Sequence, residues 1–281
     1  MKNTKLILCL ALVLSGGLFG CANNPKNTDM AGNEIANYYH LDVEKPTHED
    51  RIKLAHEFPK LKSSNQYMVL AFLWPQARCP EFADVLLPLA KLPKEPEQYN
   101  EDTLCDYVFI RLLDLSPQTV RPIILEDLRR PNPLFSLCVL QALPDKELPE
   151  LDDVLLVNLN NRDADTDKIP CLIERYATAR IMPQVITFYG NEEGWMCSLQ
   201  TALLRYWLKH DRPAALQAIE KAVNFRKSTG CFKTVLGESL HDSFDADAEK
   251  LARKFINDSD PEVAADAKNL LAQHGSKPQQ P

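Results

Sequence analysis

Five cysteines, Cys105, Cys138, Cys171, Cys197 and Cys231, recur along the chain at intervals of 33, 33, 26 and 34 residues. Each opens an amphipathic stretch, preceded by a polar turn rich in Asp, Asn, Gly or Pro and by another amphipathic stretch. Stacked helical hairpins produce a period of this length, because one hairpin cannot bury its apolar side alone and must pack on the next. The shorter third interval marks a shortened first helix, so the array is degenerate. The best-formed copy is the last. Asp260 supplies an N-cap and Pro261 occupies the first helical position. Val263, Ala267, Leu270 and Leu271 then recur at i, i+4, i+7 and i+8, and Gly275 ends the helix. Upstream, Ala248, Leu251, Ala252, Phe255 and Ile256 form a second stripe that runs into the same turn.

Composition agrees with this pattern. The chain has only 9 glycines but 20 prolines, which suits many short helices with defined stops better than a turn-rich β protein. No region alternates apolar and polar residues with period two, and 45% hydrophobic composition over 281 residues supplies a core. The fold class is therefore all-α. Expected helices cover 67–74 (stopped by Pro75), 81–92, 101–115, 119–130, 134–143, 151–160 and 168–178. They continue over 182–189, 195–210, 212–226, 231–241, 247–258 and 261–274, and 276–281 is a frayed tail.

The helix, Asp/Pro turn and small-residue helix at 257–275 resemble one unit of a HEAT-type repeat. So does 81–92, which carries the internal Pro88 that bends such helices. The resemblance covers residues 67–275. It implies a right-handed α-solenoid, or superhelix, of about six or seven HEAT-like hairpins within 47–275, exposing long surfaces to a partner.

The N-terminus reads as a targeting segment. Lys2 and Lys5 precede an apolar run, Leu6 to Leu14, that is too short to span a bilayer comfortably. The sequence Leu18-Phe19-Gly20-Cys21 resembles a bacterial lipobox, with Phe19 in place of the usual small residue. This resemblance implies that 1–20 is a lipoprotein signal peptide and that Cys21 is acylated with palmitate-type chains. At ~0.8 kcal/mol per buried methylene, several such chains give a durable membrane anchor. Ala22, where inner-membrane lipoproteins carry Asp, implies the outer membrane and a periplasmic body. Residues 21–46 read as a flexible tether. The formal charge of −7 becomes more negative once Lys2 and Lys5 leave with the signal. An acidic body without a basic stripe argues against nucleic acid and against binding anionic lipid through the folded part. Membrane attachment then rests on Cys21 alone.

Six cysteines remain for the mature body: Cys79, Cys105, Cys138, Cys171, Cys197 and Cys231. An even number outside the cytoplasm suggests disulfides. Helices stacked about 8–10 Å apart argue against them, because a disulfide needs Cα atoms within about 4.4–6.8 Å. Both readings stand, as disulfides or as small residues buried at turn-to-helix junctions. With no C-x-x-C pair, a zinc site is disfavoured.

One acidic turn carries cation-binding spacing. Asp163, Asp165, Asp167 and Glu174 fall at positions 1, 3, 5 and 12 of an EF-hand-like loop, whose hard oxygens would wrap calcium. Lys168 stands where the sharp turn requires Gly, so the competing reading is a capping turn. No P-loop, H-E-x-x-H, G-x-S-x-G or G-x-G-x-x-G is present, and His241-Asp242-Ser243 is adjacency rather than a triad. No cofactor is implied.

The aromatics Trp195, Tyr206 and Trp207, on or near one long helix, are the candidate partner-binding residues. The leading expectation is a lipid-anchored envelope scaffold or adaptor that binds an envelope protein without catalysis. The alternatives are a HEAT-type enzyme or lyase acting on a cell-envelope or small-molecule ligand, and a calcium-stabilised structural lipoprotein.

Overall fold

The computed structural model describes residues 32–41, 46–92, 103–161, 164, 168–191, 197–229 and 233–274. Among the described residues the protein is all-helical, with sixteen α-helices, short 3₁₀ turns and no strand. The first eight are α1 (Gly32–Tyr38), α2 (His48–Glu57), α3 (Ser63–Ala71), α4 (Trp74–Ala77), α5 (Phe82–Leu86), α6 (Leu104–Leu115), α7 (Pro117–Leu128) and α8 (Leu137–Leu140). The rest are α9 (Asp152–Asn160), α10 (Ile169–Tyr176), α11 (Met182–Asn191), α12 (Cys197–His210), α13 (Arg212–Thr229), α14 (Val235–Leu240), α15 (Ala246–Phe255) and α16 (Pro261–His274).

Local chemistry fixes many of the starts. Thr47 and Asp50 form a reciprocal capping box at α2, and Thr103 and Asp106 form another at α6. Asp245 accepts from the Asp247 and Ala248 amides to begin α15. Asp260 accepts from the Glu262 amide at 3.0 Å, as the Asp-Pro turn predicts, and also holds Lys233.

The chain divides into two compact units, Met1–Arg121 with Leu134–Val139, and Pro122–Pro133 with Leu140–Pro281. In the first unit, α6 packs on α3 and α5, and α2 packs on α5. Its apolar interior includes Leu54, Phe58, Leu70, Phe82, Leu86, Phe109 and Leu112, each at most 1% exposed.

The second unit contains four successive hairpins, α9–α10, α11–α12, α13–α14 and α15–α16, whose partners pack on each other. The second helices also pack in sequence, α10 on α12, α12 on α14 and α14 on α16. One core runs through α12 to α16 and includes Leu204, Ile219, Leu236, Ala252, Phe255, Val263 and Leu270. Arg205 of α12 ties three second helices together. Its guanidinium donates to both Glu174 carboxylate oxygens of α10 at 2.7 Å and to the Glu238 carbonyl of α14 at 2.8 Å.

Four sequence expectations change. The tether expected over 21–46 is cut short, because α1 packs on α3 and buries Ile35 and Tyr39, whose hydroxyl donates to Glu57 at 2.8 Å. Pro75 does not stop a helix over 67–74. It lies in the first turn of α4, where its missing N–H costs nothing, and α3 has already ended at Ala71. The helix expected over 81–92 ends at Leu86, and Pro88 sits in a 3₁₀ turn, Leu87–Leu89. Proline there removes an amide and crowds the preceding turn, so it breaks the helix instead of bending it. The helix expected over 134–143 is reduced to Leu137–Leu140.

Candidate functional site

A chain of aromatic rings leads from the interior of the first unit to its surface. Phe82 meets Phe58 and Trp74 edge-on, each with ring centroids 5.4 Å apart. Trp74 is 4% exposed, and its indole N–H donates to Asp114 at 3.0 Å. The Arg111 guanidinium lies 5.5 Å from the Trp74 ring and 5.6 Å from the Tyr107 ring. Tyr107 meets Tyr67 edge-on at 5.2 Å, and Tyr67 meets Phe72 at 6.1 Å. Phe72 ends the chain, 53% exposed.

The sequence builds this arrangement locally. Tyr107 and Arg111 are four residues apart on α6, so they share one side of that helix. Phe72 is the C-cap of α3 and its amide closes the last turn on Met68 at 3.0 Å, which sends its ring outward. Arg111 donates through Nε to the Leu70 carbonyl at 2.7 Å and so satisfies a carbonyl at the end of α3. Arg78 binds Asp114 at 2.9 Å and gives the cluster a polar edge. The result is a fixed base of buried rings carrying partly exposed Tyr, Phe and Arg side chains. Aromatic and arginine anchors of this type dominate protein interfaces, because they bring large apolar area at small entropic cost.

The residues named from the sequence fall elsewhere. Tyr206 is 0% exposed and donates to the Thr178 carbonyl at 2.6 Å, so it is a core residue and no surface anchor. Its neighbour Trp207 packs against the core that runs through α12 to α16, edge-on to Tyr189 at 6.4 Å. The Trp207 indole N–H is buried with no hydrogen-bond partner among the described residues. Trp195 lies outside the described residues. The helix that carries both residues, α12, is packed by α10, α11, α13 and α14.

The calcium reading loses its closing ligand. Glu174 spends both carboxylate oxygens on Arg205, while Asp163, Asp165 and Asp167 lie outside the described residues. Among the described residues no group of three or more His, Cys, Asp or Glu side chains could hold a metal ion.

The cysteines divide similarly. Cys79 is a buried free thiol. Cys105 donates to the Lys91 carbonyl at 3.1 Å, and Cys138 lies 3.0 Å from the Ser136 hydroxyl. Burial, then the neighbouring Glu81, pushes the Cys79 thiol up to about 11, so it stays protonated and poorly nucleophilic at neutral pH. The side chain of Cys197 and all of Cys231 lie outside the described residues.

The sequence does hold the signal for the aromatic cluster, in Tyr107 and Arg111 at i, i+4 and in Tyr67, Phe72 and Trp74 close before Pro75. It is visible only when two separate stretches are brought together.

No protein-family model, curated protein or solved structure matches this chain.

Proposed function

We propose that the protein is a lipid-anchored envelope module that binds a protein partner through the Tyr67–Phe72–Tyr107–Arg111 surface, with no catalysis of its own. The aromatic and arginine cluster carries this reading, because it joins a rigid buried base to exposed anchor side chains. The lipobox-like Leu18-Phe19-Gly20-Cys21 supports acylation at Cys21, and Ala22 supports an outer-membrane position facing the periplasm. The four packed hairpins of the second unit support a HEAT-like solenoid as the frame. Several groups that could serve catalysis have structural work. Asp152, 0% exposed, accepts from the Thr178 amide and hydroxyl and from Arg180. Glu174 is committed to Arg205, and Cys79 is held as a thiol.

A photoreactive residue at position 72, in intact cells, tests the binding surface. The expected result is one dominant adduct with an envelope protein, and weakening of that complex by about 1–2 kcal/mol on Phe72→Ser. Phe72 is 53% exposed, so its replacement leaves the fold intact. A folded, membrane-held protein that gives no protein adduct, or a partner bound equally by Phe72→Ser, overturns the proposal.

A further inference from the structure

The contact between α14 and α16 holds a buried carboxylate that pairs with no cation among the described residues. Asp266 of α16 is 8% exposed, and its Oδ2 accepts from the Gly237 amide at 3.1 Å, in the first turn of α14. A side chain at position 237 would occupy the carboxylate's place, since an added Cβ would stand 2.6 Å from Asp266 Oδ1. The absence of a side chain on Gly237 is therefore what lets α16 put an acid against the end of α14.

The surrounding charges are committed elsewhere or carry the same sign. From α14, Glu238 is the acidic neighbour, and its carbonyl holds Arg205, which is itself paired with Glu174. Lys233, two residues before α14, is held by Asp260 and Glu262. At the far end of α14, His241 pairs with Asp242 and meets His274 edge-on, eight residues along α16 from Asp266. On α15, the other helix packed against α16, Arg253 is bound to Glu249 and Lys254 to Glu220. Its remaining charged side chains, Asp247 and Lys250, are exposed.

We propose that the α14–α16 contact is a pH-sensitive joint, tight while Asp266 is protonated and loosened when it ionises. Ionisation leaves a desolvated charge that the first-turn amides of α14 only partly compensate. Burial raises the Asp266 carboxyl from its ordinary value to about 6, against the opposing effect of the Gly237 and Leu236 amides. The folded value lies above the unfolded one. The contribution to stability is therefore complete in acid, below the ordinary aspartate range, and is lost as pH rises through about 6. A body facing the periplasm, where pH follows the surroundings, would meet this range, although the joint itself does not depend on that location.

Amide hydrogen exchange across α14 in the full folded chain tests the joint, with intrinsic exchange rates divided out. Protection at Leu236 and Gly237 should fall about tenfold between about pH 5 and about pH 7.5, and Asp266→Asn should abolish the fall. Protection that does not change with pH, or that falls equally in Asp266→Asn, overturns the proposal. Should Asp266→Asn not fold, carbon NMR of the native Asp266 carboxyl decides. A midpoint near about 6 supports the joint, and one in the ordinary range near about 4 overturns it.

Discussion

Phe82→Ala should destabilise the first unit by about 3–5 kcal/mol and disorder the proposed binding surface with it. Phe82 is 0% exposed and touches both Phe58 and Trp74 edge-on, so its removal opens a cavity between the interior and the base of the cluster. The loss combines the transfer free energy of the ring with unrecovered packing, since three helices meet at this point and only partly collapse inward. Trp74 would keep its bond to Asp114 but lose the ring that fixes its tilt, and Arg111 stacks on that same indole. Chemical denaturation should show the stability loss, and near-ultraviolet circular dichroism should show weaker aromatic signal. Partner binding should weaken more in Phe82→Ala than in Phe82→Leu, which restores most of the volume. Equal stability of Phe82→Ala and native protein would contradict the packing described.

Leu236→Ala carries a similar cost at the other end of the chain, about 2–5 kcal/mol. Leu236 is 0% exposed in the core shared by α12 to α16. It lies in α14, which touches α12, α13 and α16, so the cavity would loosen two successive hairpins together. Because each hairpin packs mainly on its neighbours, local opening should be greatest in α13 to α16 and should fade toward α9. Hydrogen exchange resolves that gradient. A uniform loss of protection throughout the second unit would instead mean that the unit opens as one body.

The sequence carried the second half of the fold well. Capped, Pro-led helices such as Pro261–His274 begin at the residue their chemistry names, because Asp260 and Pro261 act within one turn. In the second unit the second helices pack on one another in chain order, α10 on α12, α12 on α14 and α14 on α16. The first half was less legible. Proline can start, bend or break a helix, and only the surrounding packing decides. Pro75 starts one and Pro88 breaks one. Tyr206 misled for a related reason. An aromatic stripe on a long helix marks an apolar side, but whether another helix covers it depends on contacts 28 residues away, at Thr178. The cluster at Tyr67, Phe72, Tyr107 and Arg111 could not be read from either stretch alone, because α3 and α6 meet only in the folded chain, through packing and the Arg111–Leu70 hydrogen bond.

The proposed function includes a lipid anchor at Cys21, and mass spectrometry of the N-terminal peptide from membrane fractions tests that anchor most directly. The expected peptide begins at Cys21 and carries acyl chains on that residue, with 1–20 absent and the protein released from the membrane fraction in Cys21→Ser. A mature chain that keeps residues before Cys21, or begins there with an unmodified thiol, would contradict the lipid-held binding module.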